Sequence, residues 1–245
     1  MINKVVVAAA GKGTRMLNHS QDKPKHLIEV NNRPFIFYLL DRLKTAGFKE
    51  IIMVIGYQKE IMKQELAKWQ TDLKITIVNQ QISNDKTVMD ERQGTAVPME
   101  ICEQYLAKEN FVALNGDSLW AVEDLKMMMI DDDLNYIAGL KSDTPEKYGV
   151  LVADENDFLK EIKEKPQDFT GDLINTGLYK FTPEIFEKIP LLEKSQRGEY
   201  ELTDALNLLA AERKVKIKTL NHYWYDFGRP EDIPVISEFL KNNYR

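Results

Sequence analysis

VVVAAAGKGTRM, residues Val5 to Met16, is a run of apolar strand formers that falls directly into Gly11, Lys12, Gly13, Thr14 and Arg15. A short, continuously apolar run bounded by turn residues reads as a strand buried on both faces. Working outward, the same pattern recurs with helices between. Residues 34–46 read as a helix with Pro34 at its first position and Gly47 past its end. Residues 50–56, 73–79 and 111–117 supply further buried strands, and residues 59–69 and 95–107 amphipathic helices. Such alternation predicts a parallel sheet with helices on both faces. Beyond Asp117 the strands at 136–140, 149–152 and 174–181 come with fewer helices between them. A helix at 202–213, a strand at 215–220 and a last helix from Glu231 follow, as an extension of the same sheet.

Of the 245 residues, 33 are Lys or Arg and 39 Asp or Glu, a net charge of -6. An acidic balance argues against nucleic acid as the main partner, because a phosphate backbone demands a basic face. A small phosphate ligand held by a few local cations remains compatible with it. The single cysteine, Cys102, permits no intrachain disulfide and suits a reducing, cytoplasmic location. No apolar run has the length of a membrane span. The first apolar stretch is too short for a signal peptide and reads as a strand.

The glycine loop matches neither common phosphate motif. Lys12 is followed by Gly13, which breaks the Walker A pattern, and Met16 stands where a dinucleotide fingerprint needs its third glycine. The glycines would still let backbone N–H groups approach phosphate oxygens, with Arg15 and Lys25 adding positive charge. The plain alternative is a strand-to-loop turn carrying a solvated arginine. Asn115-Gly116-Asp117 ends a strand on the side where open α/β sheets bind ligands. Asp226, in YWYDFGRPED, is a second candidate carboxylate, and two carboxylates are what Mg²⁺ takes when phosphates and waters complete its shell. Glu231 and Asp232 read as helix capping instead. In KEKP, Glu164 offers an acceptor for sugar hydroxyls and Lys165 a phosphate cation, against a solvated turn. Asn175 both donates and accepts, as a hydroxyl or acetamido partner would need, or else marks a β-bulge. Thr203 and Asp204 read as a cap, His26 as packing, and the 127–129 methionines as core.

In order along the chain, AAAGKGTRM, DKPKHLIEV, QGTA, NGD, YGV, EKP, INTGLY, GEYELTDA and YDFGRPED together resemble the sugar-1-phosphate nucleotidylyltransferases. The resemblance covers nearly the whole chain. It implies the nucleotide-diphospho-sugar transferase fold: α/β, a Rossmann-like three-layer sandwich with a mixed, mostly parallel central sheet. It implies one domain over residues 1–245, with a nucleotide-binding half at 1–120 and a sugar-binding half at 121–245. Ala8, Ala10, Gly11, Gly13 and Thr14 would lie along the nucleotide, and Gln80, Gly94 and Thr95 by its base or ribose. Arg15 and Lys25 would be catalytic, binding the triphosphate, and Asp117 and Asp226 would hold Mg²⁺. Gly149, Glu164 and Asn175 would contact the sugar, and Lys165 its phosphate. The partners implied are a nucleoside triphosphate, UTP or dTTP favoured, and a hexose-1-phosphate. Guanylyl, cytidylyl and N-acetylmuramate-1-phosphate uridylyl transfer stay open, as do a non-catalytic nucleotide-sugar binding protein and assembly as a homo-oligomer. Gln80 and Gln81 are separated from Gly94 by a long polar segment, so base choice is not read.

Overall fold

A computed structural model describes residues 1–20, 22–80 and 93–244, with nothing to say of the Asn18 side chain. Gln81 and the rest of the polar segment 81–92 lie outside the described residues. The chain runs β1 (Lys4–Ala9), a short hairpin of β2 (Glu29–Val30) and β3 (Arg33–Pro34), α1 (Phe35–Ala46), β4 (Glu50–Ile55), α2 (Lys59–Leu66) and β5 (Lys74–Asn79). There follow α3 (Val97–Glu100), α4 (Glu103–Leu106), β6 (Phe111–Asn115), β7 (Ser118–Trp120), α5 (Val122–Met127), β8 (Asn135–Lys141), β9 (Gly149–Ala153) and β10 (Leu159–Glu164). The last elements are β11 (Leu173–Phe181), α6 (Ile185–Lys188), α7 (Leu202–Ala211), β12 (Val215–Thr219), β13 (Trp224–Asp226) and α8 (Asp232–Asn243).

Among the described residues nine strands form one sheet, in the order β10-β9-β11-β6-β1-β4-β5, with β8 beside β11 and β12 beside β8. The pairs β6-β1, β1-β4, β4-β5 and β8-β12 are parallel. β11 lies antiparallel to β6, β8 and β9, and β10 antiparallel to β9. Only β10 and β11 run against the other strands, so the sheet is mixed and mostly parallel, the α/β class expected. Alternation along β1 separates the two cores: Val5 and Val7 pack with α1, α5 and α8 on one face, Val6 with α3, α4 and α7 on the other. α1 is buried over most of its surface, because α5 and β7 cover it on the side away from the sheet. It ends at Gly47 (φ 107°), whose N–H returns to Leu43 and Lys44 carbonyls.

Several boundaries differ from the sequence expectation. Pro34 precedes the helix instead of opening it, because it pairs with Glu29 across the β2–β3 hairpin. The helix expected over 95–107 is two four-residue turns; Met99 N and Cys102 N donate to carbonyls three residues back, which tightens and interrupts the α-ladder. α2 stops at Leu66, where bonds of the same short kind lead to Trp69. β10 went unread because its buried residues, Leu159 and Ile162, are three apart across a register shift, which erases the period of two.

Candidate active site

The two expected metal carboxylates meet because two strands outside the main sheet pair with each other. β6 ends at Asn115, and Gly116 N donates to Ala8 O at 2.9 Å. A Cβ at Gly116 would sit 3.0 Å from that oxygen and from Ala9 Cβ, so glycine lets the turn lie against β1. Asp117 follows at the carboxyl edge of the sheet. β7 then pairs antiparallel with β13, placing Asp226 opposite Ser118, and Phe227 N donates to Asp117 O at 2.7 Å. Phe227 is fully buried and stacks on Phe35 with ring centroids 4.2 Å apart, anchoring the end of β13 in the core.

Charge is unevenly shared across this pair. Lys25 Nζ donates to Asp117 Oδ2. Burial, the largest single effect, would raise the Asp117 carboxyl, but the Lys25 charge together with neighbouring His26 and the hydrogen bonds from Lys25 and the backbone holds the group below the usual carboxylate range. Asp226 goes the other way: burial, then the Asp117 charge, push it up to about 7. Two carboxyls that resist simultaneous ionisation call for a further cation between them. Among the described residues no group of three or more His, Cys, Asp or Glu gathers as a metal cluster. The pair thus fits Mg²⁺ with substrate oxygens completing the shell, and not an all-protein cage. His26 is buried beside Lys25; burial and that neighbouring charge lower it to about 3, so it stays neutral.

The pair opens into a cleft of about 850 Å³. Of the residues expected from the sequence, Arg15, Asp117 and Asp226 line it together with Gly149, Glu164, Lys165 and Asn175. A Cβ at Gly149 would stand 3.1 Å from Glu164 Oε2, so the missing side chain makes room for that carboxylate. Asn175 accepts from Gly177 N and donates to Tyr179 Oη, both at 2.9 Å, and keeps one N–H and one lone pair to offer. The β-bulge reading of this stretch also holds: the β8–β11 register shifts between Asn175 and Tyr179.

The other expected residues do not line the cleft. Gly13 (φ 65°) packs on Lys25, where a Cβ would come within 2.8 Å of Lys25 Cβ. Thr14 begins a 3-10 segment running to Ser20, and Gly11 is exposed. Ala10 O accepts from Tyr57 N, and Gln80 N donates to Ile55 O. Gly94 and Thr95 are joined to Tyr200 and Glu201. Asp232 Oδ2 accepts from Gly228 N and Arg229 N in the loop ahead of α8, no side chain hydrogen-bonds as a cap on α8 itself, and Asp232 also faces the cleft.

Sequence reading missed Arg197, Arg229 and Lys147, which bring positive charge to the cleft wall, and Tyr148, set edge-on to Trp224 at 5.5 Å. Arg197 sits one residue before the GEYELTDA stretch, and an arginine beside that glycine was the available signal.

A nucleotidyl transferase family model matches residues 4–243. The chain is 32% identical over 241 residues to the bifunctional protein GlmU of Methanococcus aeolicus, covering 97% of this chain and 54% of that protein. It is 31% identical over 235 residues to the UTP–glucose-1-phosphate uridylyltransferase AglF of Haloferax volcanii, covering 94% and 93%. It thus spans about half the length of the first relative and nearly all of the second. A UDP-glucose pyrophosphorylase solved with UDP-glucose superposes with a TM-score of 0.84 over 99% of both chains, at 21% identity, a likeness of fold. Among the described residues, no helix is long and apolar enough to cross a membrane.

Proposed function

The chain belongs to the nucleotidyl transferase family, and from that premise we propose that it joins a nucleoside triphosphate, UTP or dTTP favoured, to a hexose-1-phosphate in the cytoplasm. An oxygen of the sugar phosphate attacks the α-phosphorus, and the bond from that phosphorus to the departing pyrophosphate breaks. A phosphate monoester is largely dianionic at neutral pH, so the attacking oxygen carries no proton to remove. No general base is needed. The work left to the protein is to align two anions and offset their repulsion.

The observation that carries this reading is the Asp117–Asp226 pair, with Lys25 bonded to Asp117 from behind the wall and Arg15, Lys165 and Arg197 around the same cleft. Asp117 and Asp226 hold Mg²⁺, which supplies positive charge to phosphate oxygens. Arg15 and Lys25 take the triphosphate. Ala8, Ala10, Gly11, Gly13 and Thr14 run along the nucleotide, with Gln80, Gly94 and Thr95 toward its base. Lys165 and Arg197 hold the sugar phosphate, and Gly149, Glu164 and Asn175 the sugar. The relative AglF, named for UTP and glucose-1-phosphate, supports the uridylyl choice.

The test is pyrophosphate release with Mg²⁺ across the common nucleoside triphosphates and glucose-, N-acetylglucosamine-, mannose- and galactose-1-phosphate. Release with UTP or dTTP and one hexose is expected. Release with GTP or CTP alone would move the chain to another branch of the family, and silence throughout would overturn the catalytic reading.

A further inference from the structure

Arg197, on the cleft wall, and the Gly94–Thr95 turn, outside it, end on one buried carboxylate. The turn at Gly94 and Thr95 is sewn to the start of α7: Tyr200 N donates to Gln93 O at 2.7 Å, and Ala96 N to Tyr200 O at 3.0 Å. The contact is so close that a Cβ at Gly94 (φ 124°) would fall 2.2 Å from Tyr200 O. Side chains complete the seam. Thr95 Oγ1 accepts the Leu202 N–H at 2.8 Å and spends its own proton on Glu201 Oε2 at 3.1 Å. The other carboxylate oxygen of Glu201 accepts from Arg197 Nη2 at 2.7 Å and from Ser195 Oγ at 3.3 Å.

The two ends of the Arg197–Glu201 ion pair differ in freedom. The Glu201 side chain is 9% exposed, whereas that of Arg197 is 56% exposed and reaches the cleft wall. A half-exposed arginine samples many rotamers unless something fixed holds it, and a buried carboxylate with three donors is fixed. α7 gains its first-turn hydrogen bond from the Thr95 hydroxyl, not from Glu201. Capping therefore does not account for the carboxylate.

We propose that Glu201 is a positioning residue: it aims Arg197 into the cleft and links that aim to the Gly94–Thr95 turn, coupling the base side of the site to the sugar-phosphate side. The coupling rests on the functional reading above; the aiming of Arg197 does not. Occupation of the turn and occupation of the phosphate position then favour the same arrangement of Thr95, Glu201 and Arg197.

The test combines kinetics with arginine side-chain NMR. Glu201→Gln should raise the KM for sugar-1-phosphate about tenfold, the loss of one charge-assisted contact, with kcat at saturation much less changed. In an Arg197→Ala background the same substitution should have no further effect on that KM. Thr95→Val should raise the KM of both substrates, and Thr95→Ser should restore them. Melting temperatures separate these effects from misfolding. In the NMR spectrum the Arg197 guanidinium signal, assigned with Arg197→Lys, should be sharp in the wild type and collapse toward free arginine in Glu201→Gln. Multiplying effects of the two substitutions, or an Arg197 signal unchanged by Glu201→Gln, would overturn the proposal. An Arg197 signal that behaves as expected in a protein silent across the substrate panel would support the positioning and overturn the functional reading alone.

Discussion

Asp226→Asn should make the metal-free protein more stable while abolishing Mg²⁺-dependent turnover. The Asp226 carboxyl, ordinarily near 3.8, is pushed up to about 7 by burial and by Asp117. A carboxyl raised on folding opposes the fold wherever it would be ionised in the unfolded chain. The penalty therefore begins above pH 3.8 and is complete above about pH 7. Roughly three pH units at 1.36 kcal/mol each give a penalty on the order of 4 kcal/mol. Asparagine keeps the shape and removes the charge. At roughly 2–4 °C per kcal/mol for a chain of this size, Tm should rise by up to about 8–16 °C in EDTA near pH 8.5. The gain should shrink steadily on acidification and vanish near pH 4. Added Mg²⁺ should raise the wild type and not the variant, since only the wild type has the ionised pair to bind it. The assay is a thermal melt across pH, with and without Mg²⁺. A variant that melts at or below the wild type near pH 8.5 without metal would refute the reasoning.

Lys25→Ala removes the cation paired with Asp117 and should lower turnover by about 10²–10³, the range for loss of one preorganised charge contact. Pyrophosphate release at the wild-type rate would show that Lys25 holds Asp117 and does nothing for the reaction. His222 Nδ1 bonds the buried Asp124 at 2.9 Å, and that bond raises His222 above its ordinary 6.5. Its stabilisation should be full below about pH 6.5 and fade as pH rises through the folded value. The Tm advantage of wild type over His222→Gln should follow that course, and an advantage independent of pH would discount the ion pair.

The parallel half of the sheet was legible because β1, β4 and β6 are buried on both faces and their apolar runs are unbroken. Asp117 and Asp226 could be picked out as carboxylates near turns, but not brought together from the residues alone. Their meeting depends on β7 and β13, three residues each, too short to show a period. Lys147 and Arg229 went unread for a different reason: surface cations carry no pattern, and only the folded wall shows which of them face inward. Glu201 was less visible still. One partner, Arg197, lies only four positions before it, but the other, Thr95, is over a hundred positions away, and the fold alone brings the two together on Glu201.

The seam between Gly94 and Tyr200 also bears on how the protein is made. A ribosome adding about 5–20 residues per second needs roughly 5–20 s to travel from one to the other. During that interval β1, β4, β5 and β6 can pair, yet the turn at Gly94 has nothing to close on, and Asp117 still waits for Phe227 to reach its carbonyl. A nascent chain therefore carries the parallel start of the sheet long before it carries a site. Ligand cannot select among early partly folded forms, and the order of synthesis, not the substrate, has to guide the first half of the fold.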